Sequence, residues 1–489
     1  MNLRQMKIEN IFAWGFCGSS GREIVNELRA SINISEWISD QEGSNDIFAL
    51  LLGRMPLAVR SVDAVRIFSD FYQKHFPLYN VMINRRGLYY ANFHELANEF
   101  TLDYYFFYQL ITERKPQLII FCNLPHEGPD YILYQIAKKL GVKTLMCYQS
   151  LFPNQFYMTT SIEDFGRFET IPAIFEHPKM VLDDGHKQKV VYMGEVEKQQ
   201  AIERKSLFEQ ILYKYSCVCK KQIIFLKRIF ILLTNVLLVR PHNLNINSIV
   251  RRIVRRLDAR DRQDCYEKNI NQRVIDRVAL RELLITSKHL VYFPLHLQPE
   301  LTTATLGGVF QDQLYAIESL RSLLGDEWII LVKENPKQGY FQRDKLFFKR
   351  ISNITGVYLV DKLFPSIEII KEVVFTATIT GTAGWETIKG GGKCLVFGQA
   401  WYASLENCLT YHSALTYSEL ANFLGETKSH EKFRQSFDNF LHKVGTGIVD
   451  PDYSELVGAY TDKQNAINVA RSLMAVIENP GTIWHIESK

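Results

Sequence analysis

The chain has 489 residues, 47% of them hydrophobic and 12% aromatic, which is too long for one ordinary core and suits two domains with additions. Lys and Arg outnumber Asp and Glu only 57 to 53, so the net charge of +4 gives no nucleic-acid footprint and no nucleic-acid partner is expected. Eight scattered cysteines without metal-ligand spacing fit free, mostly buried thiols in a reducing cytoplasm.

The first predicted strand runs from Ile11 to Trp14, within a short apolar run that ends at Cys17 in a glycine-rich turn, so no secretory signal is expected. Gly15, Gly18 and Gly21 form a loop, and Arg22 to Ala30 reads as a helix. Spaced by threes, these glycines match a dinucleotide fingerprint only loosely. Gln117 to Cys122 is the next clear strand, and Tyr131 to Leu140 is a helix that Gly141 terminates. His126 and Glu127 therefore fall in a loop at a strand's carboxyl end. An imidazole beside a carboxylate suits deprotonation of an acceptor hydroxyl, with His126 as base or with Glu127 orienting it. The competing reading is a local loop in which Asp130 caps the helix. Gln149, ending the following strand with Tyr148 and Ser150, is a further substrate-contact candidate.

Ile223 to Val239 is strongly apolar but carries Lys227 and Arg228 and stops at Arg240-Pro241. It falls short of the roughly 20 uninterrupted apolar residues of a spanning helix. Arg251, Arg252, Arg255, Arg256, Arg260 and Arg262 come next. Two readings stay open for this segment: docking on an anionic cytoplasmic leaflet, or a helical insertion packed on the protein with arginines solvated or paired to Asp258 and Asp261.

Leu290 to Phe293, Trp328 to Val332, Val357 to Val360, Val373 to Ile379 and Cys394 to Phe397 are short, β-branched and aromatic, without polar alternation. That pattern predicts strands buried on both faces of a parallel sheet. Gln313 to Leu324, Ser366 to Glu372 and Ala383 to Lys389 supply crossover helices, so this half is α/β. Three polar loops, FPLHLQPE (293 to 300), VKENP (332 to 336) and TGTAGWE (380 to 386), follow strands, and ligands of open α/β sheets lie beyond the strands' carboxyl ends. Gly381 and Gly384 bracket Thr382 and Ala383, where free N–H groups and a helix start suit a phosphate, and Glu386 suits a pair of sugar hydroxyls. The alternative is that the glycines only permit a tight turn. After Tyr417 the chain is expected to be mainly helical, with Ala466 to Ile477 amphipathic.

The ordered motifs YFPLHLQPE, TT, GG, FQDQ, VKENP, GTAGWE and GGKCLVFGQAWY resemble the donor half of bacterial glycosyltransferases of the capsule polysaccharide biosynthesis type, which include Kdo transferases using CMP-Kdo. The resemblance covers about 110 residues, with a weaker echo in FCNLPHEGPDYILYQIAKKLGVKT (121 to 144). It implies a GT-B fold: two Rossmann-like domains facing across a cleft, with a helical insertion between them. The implied divisions are an acceptor domain over 1–205, a basic helical connection over 206–285, a nucleotide-sugar donor domain over 286–420, and C-terminal helices over 421–489 that cross back to the first domain. The implied activity moves a sugar from a nucleotide-sugar donor to a glycan or glycolipid acceptor of surface-polysaccharide synthesis, at the cytoplasmic face of the inner membrane.

Under this resemblance Lys333, Asn335, Thr382 and Ala383, with Gly381, serve the leaving phosphate. His296 and Glu300 contact the transferred sugar or move a proton, Gln298 adds a hydrogen bond, and Gly15, Gly18 and Gln149 line the acceptor side. His296 between Leu295 and Leu297 equally fits a packed core histidine. Relatives usually read Lys-Glu-His-Pro where this chain has Lys333-Glu334-Asn335-Pro336, and Asn335 cannot carry charge or shuttle a proton. No cofactor and no metal are expected: the one Asp-x-Asp match, Asp450-Pro451-Asp452, reads as a proline-bearing turn. An epimerase or polyol-phosphate transferase of the same architecture, and a non-catalytic assembly protein, remain the alternatives.

Overall fold

A computed structural model describes residues 10–39, 45–46, 62–85, 92–152, 154–168, 246–340, 342–426, 430–450 and 460–478. The apolar run Ile223 to Val239, Cys217, Cys219 and Asp452 lie outside them, as do the side chains of Arg251, Arg252, Arg255 and Arg256. Among the described residues no helix is long and apolar enough to cross a membrane.

The strands are β1 Ile11–Trp14, β2 Ile34–Ser39, β3 Asn45–Asp46, β4 Leu118–Phe121, β5 Lys143–Gln149, β6 Gln155–Thr159, β7 Leu290–Pro294, β8 Ile329–Lys333, β9 Val357–Val360, β10 Phe375–Thr378, β11 Lys393–Val396, β12 Cys408–Thr410 and β13 Val444–Thr446. The helices are α1 Gly18–Ser31, α2 Val62–Arg85, α3 Phe93–Arg114, α4 Pro129–Lys139, α5 Ile246–Asn271, α6 Arg277–Thr286, α7 Leu301–Ala304, α8 Gln313–Leu323, α9 Lys345–Ser352, α10 Ser366–Glu372, α11 Thr382–Lys389, α12 Tyr417–Gly425, α13 His430–Leu441 and α14 Asp462–Ile477. The chain is thus mixed α/β with two largely parallel sheets, as its alternating apolar runs predict. It divides into two compact units, one of Met1–Asp184, Gln298–Ala316 and Phe375–Lys489, the other of Gly185–Leu297 and Ile317–Val374.

In the first unit seven strands run in the order β13-β6-β5-β4-β1-β2-β3. β1 pairs in parallel with both β2 and β4, and β4 with β5, whereas β6 is antiparallel to β5 and to β13. Period-two alternation explains why the central strands lack polar residues. Ile11, Ala13, Leu118 and Ile120 face Ile24, Val25 and Leu28 of α1 and Val469, Leu473 and Val476 of α14. Phe12, Ile119 and Phe121 face the opposite core, which α2, α3 and α4 fill with Phe71, Tyr79, Phe100, Tyr104 and Ile132. The C-terminal chain returns to this sheet in two ways: β13 extends it by pairing Val444, Gly445 and Thr446 with Tyr157, Phe156 and Gln155, and α14 lies over β1. Asn465 ties α14 down, its amide donating to Ser20 Oγ at 2.9 Å and to the Ile448 carbonyl at 2.8 Å.

The first unit also holds the run β12-β11-β10 and the second unit the run β7-β8-β9, every pairing within each run being parallel. In the second unit α5 is held by side-chain bonds at its C-terminal half. Gln263 Oε1 accepts from the Tyr340 amide at 3.0 Å, and Glu267 accepts from Lys362 Nζ at 2.8 Å. The Tyr266 ring lies 5.8 Å from that of Phe348. The arginines whose side chains are described on this helix are exposed or paired locally, Arg262 with Asp258 at 2.9 Å.

Candidate functional site

The second unit places two loops side by side, because β7 and β8 are neighbours in register and their ends are joined by a 2.8 Å bond from the Leu295 amide to the Lys333 carbonyl. Lys333 is buried at the last position of β8, and its Nζ donates to Ser366 Oγ at 2.7 Å. The Tyr292 hydroxyl lies 3.0 Å from the same Ser366 oxygen. A buried lysine head thus rests on a hydroxyl that is itself paired with a second one at a strand's carboxyl end, where an ordinary surface lysine would reach solvent. Sequence reading missed Tyr292 and Ser366, which lie 74 positions apart. The signal available was a serine opening the crossover helix after β9.

The residue following Lys333 is bound more tightly. Glu334 and Arg343 form an ion pair at 2.7 Å with both side chains at 0% exposure. Glu334 Oε1 also accepts from the Asn335 amide at 2.9 Å. Arg343 donates to the carbonyl of His296 at 3.1 Å, and its guanidinium stacks 4.4 Å over the Phe347 ring. Asn335 forms a local turn, its Oδ1 accepting from the Lys337 amide at 3.0 Å. His296 itself is buried, and burial, then the nearby Arg343 charge, lower its pKa to about 4. It is therefore neutral near pH 7, the packed alternative of the two readings open from sequence, and poorly matched to a proton-transfer role there.

In the first unit three polar loops are tied together. The Asp130 carboxylate accepts from the amides of His126, Glu127 and Tyr131 at 2.8, 2.8 and 2.7 Å, closing the loop onto the start of α4. Burial pushes the Asp130 carboxyl up, while the His126 charge and the backbone N–H bonds pull it down. His126 Nδ1 lies 2.6 Å from the Leu124 carbonyl, which can only accept. Nδ1 therefore carries a hydrogen, so that when the ring holds a single proton the lone pair lies on Nε2. The orienting partner of His126 is this carbonyl, where sequence reading offered Glu127. Gly128 has φ +102, and a Cβ there would meet Ile83 Cδ1 at 2.6 Å, so the turn needs glycine both for conformation and for close approach to α2.

Pro125, three residues before Gly128, accepts through its carbonyl from Thr305 Oγ1 at 2.8 Å. The Thr302 carbonyl accepts from Thr380 Oγ1 at 2.8 Å, which links α7 to the loop that opens α11. Glu300 caps α7 in a reciprocal box with Thr303, and the buried Gln298 amide donates to the Gln311 carbonyl at 2.5 Å. These bonds give both residues local structural work.

Gly381 is the N-cap of α11 with φ −71, a conformation any residue adopts. Its carbonyl accepts from the Tyr402 hydroxyl at 2.5 Å. Gly384 answers to packing, since a Cβ would lie 2.2 Å from that hydroxyl and 2.7 Å from Cys394 Sγ. Thr382, Ala383 and Glu386 are half-buried on the first turns of this helix. On the acceptor side, Gly15 has φ +78 with its Cβ position filled by Cys122 Sγ at 2.2 Å, and Gly18 has φ +74 with open space beside it. Gln149 is buried and bound to backbone, Nε2 donating to the Gln155 carbonyl and Oε1 accepting from the amides of Val449 and Asp450, each within 3.3 Å. Asp450 accepts from Asn123 Nδ2 at 3.4 Å.

No protein-family model matches the chain, and no curated protein matches it. Among solved structures, it is similar to the Thermosulfurimonas dismutans KpsC β-Kdo 2,7 transferase at 8% identity, covering 95% of this chain and 98% of that one, with a TM-score of 0.33. A UDP-forming α,α-trehalose-phosphate synthase from Burkholderia vietnamiensis aligns at 11% identity over 95% and 100% of the two chains, with a TM-score of 0.28. A UDP-GlcNAc 2-epimerase from Methanocaldococcus jannaschii aligns at 9% identity over 87% and 95%, with a TM-score of 0.24. Likenesses this distant carry no inference about this chain, whose α/β architecture stands on its own strands and helices.

Proposed function

We propose that the chain is a GT-B glycosyltransferase that takes its sugar from a nucleotide-sugar donor, with CMP-Kdo as the leading donor and a surface glycan or glycolipid as acceptor. The observation that carries this reading is the buried Lys333 ammonium seated on Ser366 Oγ at the carboxyl end of β8, beside the loop that follows β7. A cation held in a low-dielectric setting with hydroxyl donors suits a leaving phosphate, whose charge grows in the transition state. The motif resemblance supplies the reaction class, and the KpsC likeness is in keeping with it without adding weight.

Sugar transfer also needs a base for the acceptor hydroxyl, and His126 Nε2 is the group we assign, since its tautomer is set by the Leu124 carbonyl. No protein step in this scheme calls for a metal, because the leaving group is assigned to Lys333 and Ser366. Work at the cytoplasmic face of the inner membrane is part of the same reading.

Titration calorimetry of the full chain with CMP, CDP, UDP, GDP and CMP-Kdo tests it. Selective cytidine-nucleotide binding that weakens about tenfold or more in Lys333→Ala supports the transferase with that donor class. UDP selectivity moves the reading to an epimerase or another transferase, and no binding by the wild type overturns it.

A further inference from the structure

Arg343 belongs to none of the strand-end motifs, yet it is among the largest fully buried side chains of the protein. It lies beyond the VKENP loop, just before α9, and turns back to touch both loops at the ends of β7 and β8. Its Nε meets Glu334 Oε2 at 2.7 Å, its Nη2 meets the His296 carbonyl at 3.1 Å, and Nη1 donates to the Gln342 carbonyl at 3.2 Å. Glu334 spends its second oxygen on the Asn335 amide. Stability alone gives little reason for such a pair: apolar residues of the same volume usually serve a core as well as, or better than, a buried ion pair. What a guanidinium adds is direction, because its donors sit in a rigid fork that fixes several acceptors at once.

We infer that Arg343 and Glu334 are positioning residues, which lock the 294–297 and 333–336 loops against each other so that Lys333 and Ser366 present a fixed pair of donors to an anionic phosphoryl group. This rests on the nucleotide-sugar reading of the same site. Glu334 acts from one side by holding the Asn335 amide, and Arg343 from the other by holding His296. Lys333 precedes the locked residue directly, so its direction out of β8 is set where the strand ends.

The test uses the full chain, the double variant E334M/R343M and the single variant R343K. Thermal unfolding, amide exchange over residues 294–297 and 333–340, and calorimetry with CMP, CDP, UDP and GDP are read together. The double variant is expected to keep its unfolding temperature, because the pair is replaced by apolar volume. It should exchange faster in both loops and bind the nucleotide that the wild type prefers about tenfold or more weakly. R343K keeps the charge but cannot reach Glu334 and the His296 carbonyl together, so it should fall between the two. Should the double variant fail to fold, R343K decides: wild-type loop exchange in a folded R343K overturns the inference, and faster exchange in both loops supports it. Wild-type exchange and affinity in a folded double variant overturn it as well. A wild type that binds none of the nucleotides sinks the nucleotide-sugar reading, while loop exchange still decides whether the pair positions the two loops.

Discussion

Asp130 and Glu334 are both buried carboxylates beside a strand end, and both hold backbone amides, but they are neutralised differently. Asp130 faces three N–H groups of its own loop and its neighbouring helix, all within four residues. Glu334 faces one such amide and the guanidinium of Arg343, nine residues on, which in turn reaches a loop 47 residues back. The first arrangement closes a single turn. The second couples two separate strand ends, and a charge pair can do so because a long side chain spans a distance that bonds within one turn cannot.

The largest expected effect comes from splitting the pair. Glu334→Ala leaves the Arg343 charge buried without its carboxylate, and urea unfolding should show a loss of about 3–5 kcal/mol. A loss near zero would show that the arginine finds water or another acceptor, and the contrast with Asp130 would disappear.

The next effect is a pH dependence that isolates His296. In the folded chain its pKa is lowered to about 4 from the ordinary 6.5, first by burial and then by the Arg343 charge. The unfolded chain therefore takes up a proton between pH 6.5 and about 4 that the folded chain refuses. Stability should fall as pH drops through that window and be unaffected above it, by roughly 3 kcal/mol in full. His75, also buried, shifts in the same direction to about 4, so the wild-type melting temperature reports both residues. His296→Gln should flatten the pH profile by its own share, and an unchanged slope would show that His296 already carries its proton in the folded state.

The smallest effect belongs to the local turn. Asp130→Ala removes an acceptor from three amides, but a loop can open to water, so a loss of about 2 kcal/mol is expected by the same unfolding measurement. Amide exchange should quicken at residues 126–131 and stay unchanged at 294–297. A response in the distant loop would erase the distinction between a local turn and a coupling pair.

Much of this was legible from the amino acids. Val357–Val360 and Ser366–Glu372 fall where the apolar runs predict them, and most other strand ends shift by a residue or two. The N-cap reading of Asp130 was not borne out: Gly128 is the N-cap of α4 and carries no side-chain cap bond, and Asp130, inside the first turn, instead accepts from the loop amides of His126 and Glu127, local partners that an acidic residue near a helix start can reach. The antiparallel pairing of β6 with β5 and β13 was not legible either, since a fully buried strand carries the same apolar signature in either direction.

The candidate site divides along the same line. Lys333, Asn335, His126 and Gly381 could be named from loops that follow strands, because motif position depends on local order. Ser366 under Lys333, the Leu124 carbonyl on His126 and the Tyr402 hydroxyl that accounts for Gly384 emerge only when the chain folds. Gln149 looked like a substrate contact and instead binds the backbone of residues 449 and 450, about 300 positions away. Sequence by itself determined the α/β class and which loops lie at strand ends, because periodicity and turn chemistry act over a few residues. Tertiary structure alone decided which side chains in those loops are spent on the protein, since a hydrogen-bond partner is chosen by proximity in space, and separation along the chain leaves no local trace of it.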